Sequence, residues 1–323
     1  MKAAVYYKYG SWDQIRCEDV ANPVMKDGDV LVKVKASSIN SWDADMLKGD
    51  TLLIRILSGF GKPRYRILGS DIAGVVERVG KDVQLFRPGD EVYGDIAEAH
   101  FGGFAEYAAV PEKLLAAKPK TLSFNEAASL PQAALLAIQG LRYYGDVQKG
   151  QKILINGAGG GVGTLALQYA KAKGAQVTCV DLQEKFQILQ ELGTDHTIDF
   201  TQTDYTRTGH QYDKVLDVIA HRRSSDYKRT LTTDGTFAMI GGSMSGLLFN
   251  MMFIQPPLSR FRKKKLGIMP YQAGRTNLEV ITQLVEAGTL RPVVDSVYPL
   301  SDVSAAFRHF MSGKFCGKIV IGI

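Results

Sequence analysis

Lys152-Ile153-Leu154-Ile155-Asn156 leads into Gly157-Ala158-Gly159-Gly160-Gly161-Val162-Gly163, which leads into Thr164-Leu165-Ala166-Leu167-Gln168-Tyr169-Ala170-Lys171-Ala172. An apolar strand thus enters a glycine turn and leaves it as a helical run. That order builds a seat for the pyrophosphate of a dinucleotide. Small residues let the backbone approach the phosphates, and free N–H groups at the helix start face the anion. Ala158 stands at the first glycine position of the fingerprint, and Gly160 and Gly163 fill the other two. The pattern alone is a weak signal; the strand before it and the helix after it make it specific. Ala158, Gly159, Gly160, Gly161, Val162 and Gly163 are the candidate contacts, with backbone groups of 160–163 on the phosphates.

Downstream of the loop, strands and helices alternate. Short apolar runs at 176–180, 196–199, 214–219, 236–240 and 266–269 predict further strands, and 184–192 a helix. This alternation predicts a parallel, doubly wound sheet. Asp181 ends the second strand, 18 residues after Gly163. An acid there accepts hydrogen bonds from the adenosine ribose and repels a 2′-phosphate, which favours NADH. Its structural alternative is a helix cap, with Glu184 three residues on. Gly241-Gly242, at the end of the fifth strand, are further cofactor candidates.

Before residue 120 the texture differs. Val30-Leu31-Val32-Lys33-Val34-Lys35-Ala36 alternates with period two, as a half-buried strand does. Gly74–Gly80, Pro88–Gly94 and Gly102–Val110 are further short segments punctuated by glycine or proline, a pattern that predicts a small barrel. An Ala/Leu-rich helical stretch follows from 125 to 144, with Ser123 as its N-cap. In the tail, helices at 278–287 and 303–312 and strands at 297–300 and 317–321 are expected. The last strand is expected to return to the first domain. The predicted boundaries are 1–122, completed by 271–323, and 123–270.

The 323 residues suffice for two domains, and 45% hydrophobic with 22% charged residues is ordinary for a globular chain. The net charge of +6 favours anionic ligands, but no basic–aromatic pattern points to nucleic acid. Cys17, Cys179 and Cys316 form no CxxC pair, which fits a reducing compartment. The opening Met1–Tyr7 reads as a strand rather than a leader. The apolar window 247–258 is too short to span a bilayer and contains Pro256-Pro257. A cytoplasmic protein without a transmembrane segment is expected.

The whole chain resembles the medium-chain dehydrogenase/reductase superfamily, most closely its zinc-independent quinone oxidoreductase branch. The resemblance is carried by Ala36–Asp43, Gly69–Gly80, Phe86–Gly94, Gly102–Tyr107, Ala127-Ala128-Ser129-Leu130-Pro131, the glycine loop and Gly317–Ile321. It implies an α/β protein: a GroES-like β-barrel catalytic domain plus a Rossmann domain, with the active site in the cleft between them. Zinc members of the superfamily place a cysteine ligand where Asn40 stands, and Gly-His-Glu where Gly69-Ser70-Asp71 stands; their four-cysteine lobe is missing. The five histidines show no ligand spacing. No metal is therefore expected.

The resemblance also brings the loop of Asn40 and Asp43 to the nicotinamide. Asn40 is a candidate to hydrogen-bond the substrate carbonyl or the cofactor. Asp43 is a candidate of the same kind or a helix cap, and Tyr93 is a candidate proton donor or a core aromatic. Lys185 stands where NADPH-using relatives carry a basic residue for the 2′-phosphate, against the preference set by Asp181. A carboxylate close to a phosphate costs more than a flexible lysine returns, so NADH is modestly favoured. Leu135-Leu136-Ala137-Ile138 offers none of the hydroxyls that relatives place near the nicotinamide.

The expected function is NAD(P)H-dependent reduction of a quinone or an α,β-unsaturated carbonyl by hydride transfer without metal. The expected oligomer is a homodimer. The basic run Arg260-Phe261-Arg262-Lys263-Lys264-Lys265 is a solvated loop or a docking site for an acidic substrate or an anionic membrane surface, and the docking reading keeps open an enoyl-thioester (enoyl-CoA) reductase. Beside it, Leu247–Phe253 is a candidate apolar pocket wall or dimer contact. A rival of another class is a dinucleotide-binding regulatory or membrane-associated protein without turnover.

Overall fold

Short apolar runs become the strands of three sheets among the described residues, of two, six and seven strands. The computed structural model describes residues 1–242 and 264–323. It divides them into one unit of Met1–Ala133, Gln272–Gly288 and Pro292–Ile323, and a second of Ala134–Tyr271 and Thr289–Arg291.

The first unit starts with β1 (Lys2–Val5), β2 (Arg16–Asp19), β3 (Asp29–Ser38), α1 (Ser41–Lys48) and α2 (Leu52–Ser58). It continues through β4 (Asp71–Val79), β5 (Glu91–Asp95), β6 (Tyr107–Pro111), β7 (Ala116–Ala117) and α3 (Phe124–Ala128). β3 is central because its period-two pattern holds: Val30, Val32 and Val34 point into a core with Ile72, Val76, Val92 and Val110, while Lys33 is exposed. It pairs antiparallel with β4 and β6.

The second unit holds most of α4 (Pro131–Arg142), then β8 (Lys152–Asn156), α5 (Gly161–Ala172), β9 (Gln176–Asp181), α6 (Phe186–Glu191) and β10 (His196–Asp199). β11 (Tyr212–Asp217), α7 (Ser224–Thr230), β12 (Leu231–Met239) and β13 (Lys265–Ile268) complete it. The strands lie in the order β10-β9-β8-β11-β12-β13, and each pair is parallel. Counted from β8 this is 3-2-1-4-5-6, with the reversal between β8 and β11, where such sheets take ligands beyond the carboxyl ends of the strands. Leu154, Val180, Val215, Phe237 and Met239 share a core beneath it.

The chain returns to the first unit with α8 (Arg275–Glu286), β14 (Val294–Pro299), α9 (Val303–Ser312) and β15 (Lys318–Gly322). β15 pairs antiparallel with β3, matching Val320 to Ser38 and Gly322 to Ala36.

Several elements differ from the sequence expectation: the helical stretch expected at 125–144 is two helices, α3 and α4, and the strand expected at 297–300 starts at Val294. β12 begins at Leu231 rather than Thr236, because Leu231 pairs with Tyr212 before the register shifts. The first division falls after Ala133, inside a helix, rather than at residue 122, because α3 packs on β3 and β4 and belongs with them. The segment Leu247–Phe253 and residues 260–263 of the basic run lie outside the described residues, so the feature that kept the enoyl-thioester reading open is not described.

Candidate functional site

Gly157 leaves β8 in the left-handed region, at φ +80°, a conformation that glycine adopts without penalty. The turn is closed by Gly157 N–H and Ala158 N–H, which both donate to Val180 O at 3.0 and 3.2 Å. Ala158 is fully buried. Gly160 caps α5, whose first backbone bond runs from Thr164 N–H to Gly160 O at 2.9 Å. The N–H groups of Gly161, Val162 and Gly163 precede that bond and form the orphan donors of the helix start. A Cβ at Gly163 would collide with the backbone of Gly157 and Ala158, whereas one at Gly160 would find Gly157 O at 3.6 Å as its nearest neighbour. The loop is therefore closed underneath and open above, as an approach by phosphate requires.

Asp181 ends β9 beside this loop. Its Oδ2 accepts Gly159 N–H at 2.7 Å and its Oδ1 accepts Leu182 N–H at 2.9 Å. Lys185 Nζ lies 3.0 Å from Oδ1, with both side chains nine-tenths buried. The lysine stem passes over Gly159, where a Cβ would collide with it. Asp181 is not a helix cap of the kind weighed from Glu184; it orders the loop and pairs with Lys185.

At the carboxyl ends of β8 and β11, Asn156 Nδ2 donates to Asp217 Oδ1 at 2.8 Å and Tyr205 O–H to Asp217 Oδ2 at 3.2 Å. Burial pushes the Asp217 carboxyl up, against the hydrogen bonds of Asn156 and Tyr227. Gly241 and Gly242 follow the carboxyl end of β12. Ala220 N–H donates to Gly241 O at 2.9 Å, and a Cβ at Gly242 would strike the Ala220 backbone.

In the first unit, Asn40 and Asp43 enter a closed polar network. Asp43 sits in the first turn of α1 and accepts Asn40 N–H at 2.9 Å, Gly69 N–H at 3.0 Å and Ser70 O–H at 3.1 Å. Asn40 Nδ2 donates to Ser70 Oγ at 2.9 Å and Asp71 Oδ2 at 2.8 Å. Its Oδ1 accepts from Lys318 Nζ at 2.5 Å. Asp71 also accepts Ser38 O–H at 3.1 Å and Gln132 N–H at 2.9 Å. Burial raises the Asp43 carboxyl to about 7, although the N–H groups of Asn40 and Gly69 pull it down. Burial lowers the Lys318 ammonium, opposed by Asp71 and Asp43.

Tyr93 is completely buried. Its hydroxyl donates to Leu278 O at 2.8 Å and pairs with Thr282 Oγ1 at 2.9 Å, and burial pushes it above the ordinary phenol range. Lys318 was not singled out from the sequence. Its one signal there is a charged residue opening an otherwise apolar terminal strand. Asp217 gave none, being one of several acids at strand ends.

Residues 26–120 match the family described as "Alcohol dehydrogenase GroES-like domain", and residues 192–321 the family described as "Zinc-binding dehydrogenase". The chain is 34% identical over 332 residues to the 2-methylene-furan-3-one reductase of Solanum lycopersicum, covering 99% of this chain and 79% of that protein. It is 33% identical over 332 residues, with the same coverage, to the chloroplastic NADPH-dependent alkenal/one oxidoreductase of Arabidopsis thaliana. The solved quinone oxidoreductase of Coxiella burnetii aligns with a TM-score of 0.89 and 26% identity over 100% of this chain and 99% of that one. The chain belongs to the medium-chain dehydrogenase/reductase superfamily, in its quinone oxidoreductase-like branch. Its two units are accordingly a GroES-like domain and a parallel-sheet dinucleotide domain.

Proposed function

We infer that this chain is an NAD(P)H-dependent oxidoreductase that reduces quinones or α,β-unsaturated carbonyl compounds. The observation that carries the reading is the glycine loop, closed beneath and open above, at the reversal point of a 3-2-1-4-5-6 sheet. The names of the relatives, an alkenal/one oxidoreductase and quinone oxidoreductases among them, support the acceptor class. The dinucleotide, when bound, supplies a hydride to the electrophilic carbon of the acceptor.

The chain's own residues bind and orient. The N–H groups of Gly161, Val162 and Gly163 and the positive end of α5 hold the pyrophosphate. Ala158 and Gly159 shape the approach, and Gly241-Gly242 shape the end of the adjacent strand. Asp181 and Lys185 meet the adenosine end together. Because Lys185 offsets the Asp181 charge, a 2′-phosphate is tolerated, while Asp181 keeps NADH modestly favoured. Asn40 and Asp43 act as positioning residues, since every polar atom of their side chains already has a partner in the network. Tyr93 serves the core, with its proton held by Leu278 O.

A cytoplasmic homodimer is part of the same proposal. The cytoplasmic location is supported by three free cysteines, as expected in a reducing compartment. Among the described residues no helix is long and apolar enough to cross a membrane. The test follows NADH and NADPH oxidation in parallel against quinones, 2-alkenals and enoyl-CoAs. Turnover with quinones or alkenals supports the reading. Turnover confined to enoyl-CoAs replaces it with the thioester reductase. Tight dinucleotide binding without turnover points to a regulatory protein.

A further inference from the structure

The name of one matched family carries zinc, so the metal must be tested against this chain's residues. They do not fit it. Asn40 and Ser70, at positions where zinc members place cysteine and histidine, offer a carboxamide and a hydroxyl. The carboxylates in contact with them are Asp71, on the Asn40 carboxamide, and Asp43, whose two oxygens are already held by Asn40 N–H, Gly69 N–H and Ser70 O–H. A catalytic zinc takes about three protein ligands from Cys, His and carboxylate. Among the described residues no group of three or more such side chains is placed to hold a metal.

What these residues surround instead is an ammonium. Lys318 Nζ donates to Asn40 Oδ1 at 2.5 Å and to Ile39 O at 3.0 Å, and lies 3.4 Å from Asp71 Oδ2. These three oxygens come from two segments far from Lys318 in sequence, and its residue is 5% exposed. Asp71 and Asp95 are at most 1% exposed, and their buried charge acts on this cation. Such charge is retained in a fold only when it is paired.

We propose that the Lys318 ammonium is the resident cation of the Asn40–Ser70–Asp71 pocket, where it excludes a divalent metal and fixes the Asn40 carboxamide and the Asp71 carboxylate in place. Lys318 is a positioning residue that acts through Asn40. Its effect on turnover rests on the reductase reading above; its exclusion of metal does not.

The test is a Co²⁺ titration of the full chain after dialysis against a chelator, followed by visible absorption, with bound metal counted by mass spectrometry. The wild-type chain is expected to bind no cobalt that depends on Asp71 and to show no tetrahedral d–d bands. One equivalent of cobalt with those bands, lost in Asp71→Asn, would overturn the proposal without reference to activity. Lys318→Met and Lys318→Arg provide the second readout. Lys318→Met is expected to lower kcat at least about tenfold with the dinucleotide KM unchanged, and Lys318→Arg to restore most of it. A folded Lys318→Met chain with unchanged kcat and pH profile would remove the positioning role.

Discussion

Lys185 Nζ and Asp181 Oδ1 stand 3.0 Å apart beside the glycine loop, both side chains withdrawn from solvent, with the lysine stem filling the space that Gly159 leaves by having no Cβ. The two residues whose separate chemistries argue for different dinucleotides are bonded to each other.

Cofactor choice follows from that pair. Asp181→Asn removes the repulsion of a 2′-phosphate and releases Lys185 to meet it. Lys185→Gln leaves the carboxylate uncompensated. The ratio of kcat/KM for NADPH over NADH is expected to rise roughly tenfold in the first variant and fall roughly tenfold in the second, a change of about 1.4 kcal/mol each way. Equal movement of both cofactors would mean that the pair only orders the loop.

Gly163→Ala forces a Cβ into the backbone of Gly157 and Ala158, which cannot yield as a flexible side chain can. Such overpacking typically costs about 1–3 kcal/mol. Dinucleotide affinity, read by quenching of protein fluorescence, is expected to drop roughly ten- to hundredfold for NADH and NADPH alike. Gly160→Ala, where the nearest atom is 3.6 Å away, is expected to preserve the fold, as read by circular dichroism. A collapse of secondary structure in Gly160→Ala would contradict this description of the turn.

Asp43 links folding to pH. Its carboxyl is raised from 3.8 to about 7 by burial, so the folded chain holds this proton more tightly than the unfolded chain. The stability it contributes is full below about pH 4 and is lost as pH rises through about 7. Urea midpoints measured from pH 5 to 8 are expected to fall for the wild-type chain and to fall less for Asp43→Asn. Asp217, raised in the same direction, is common to both proteins and cancels in the comparison. Parallel profiles would show that Asp43 does not titrate in this window.

Tyr93→Phe separates a core hydroxyl from a catalytic one. It strips Leu278 O and Thr282 Oγ1 of a buried partner, which is expected to cost about 1–3 kcal/mol of stability in chemical denaturation. With the proton held by a carbonyl, kcat at 25 °C should stay within about twofold. A large loss of kcat with unchanged stability would restore Tyr93 as a proton donor.

The sequence made the glycine loop and the parallel sheet legible because both are local. The apolar run of β8, the small residues of 157–163 and the helical run of α5 are contiguous. The Asp43 cap was legible for the same reason, lying three residues from Asn40. Lys318 was not, because its meaning depends on Asn40, 278 residues away, and is created when β15 joins β3. The pairing of Asp181 with Lys185 is local at i,i+4, yet sequence reasoning weighed them as rivals because each had a separate ligand role. The early residues of β12 escaped because Asp234-Gly235 interrupts the pattern, although pairing with β11 carries the strand through it.

Isotope tracing reaches the proposed chemistry most directly. The chelator-treated chain is given nicotinamide dinucleotide carrying deuterium at both C4 positions of the reduced ring, with a 2-alkenal as acceptor, and the product is examined by mass spectrometry and NMR. Deuterium at the former β-carbon, together with a proton from water at the neighbouring carbon, is the expected result. Unlabelled product, or a reaction that starts only when zinc is restored, would contradict metal-free hydride transfer by this chain.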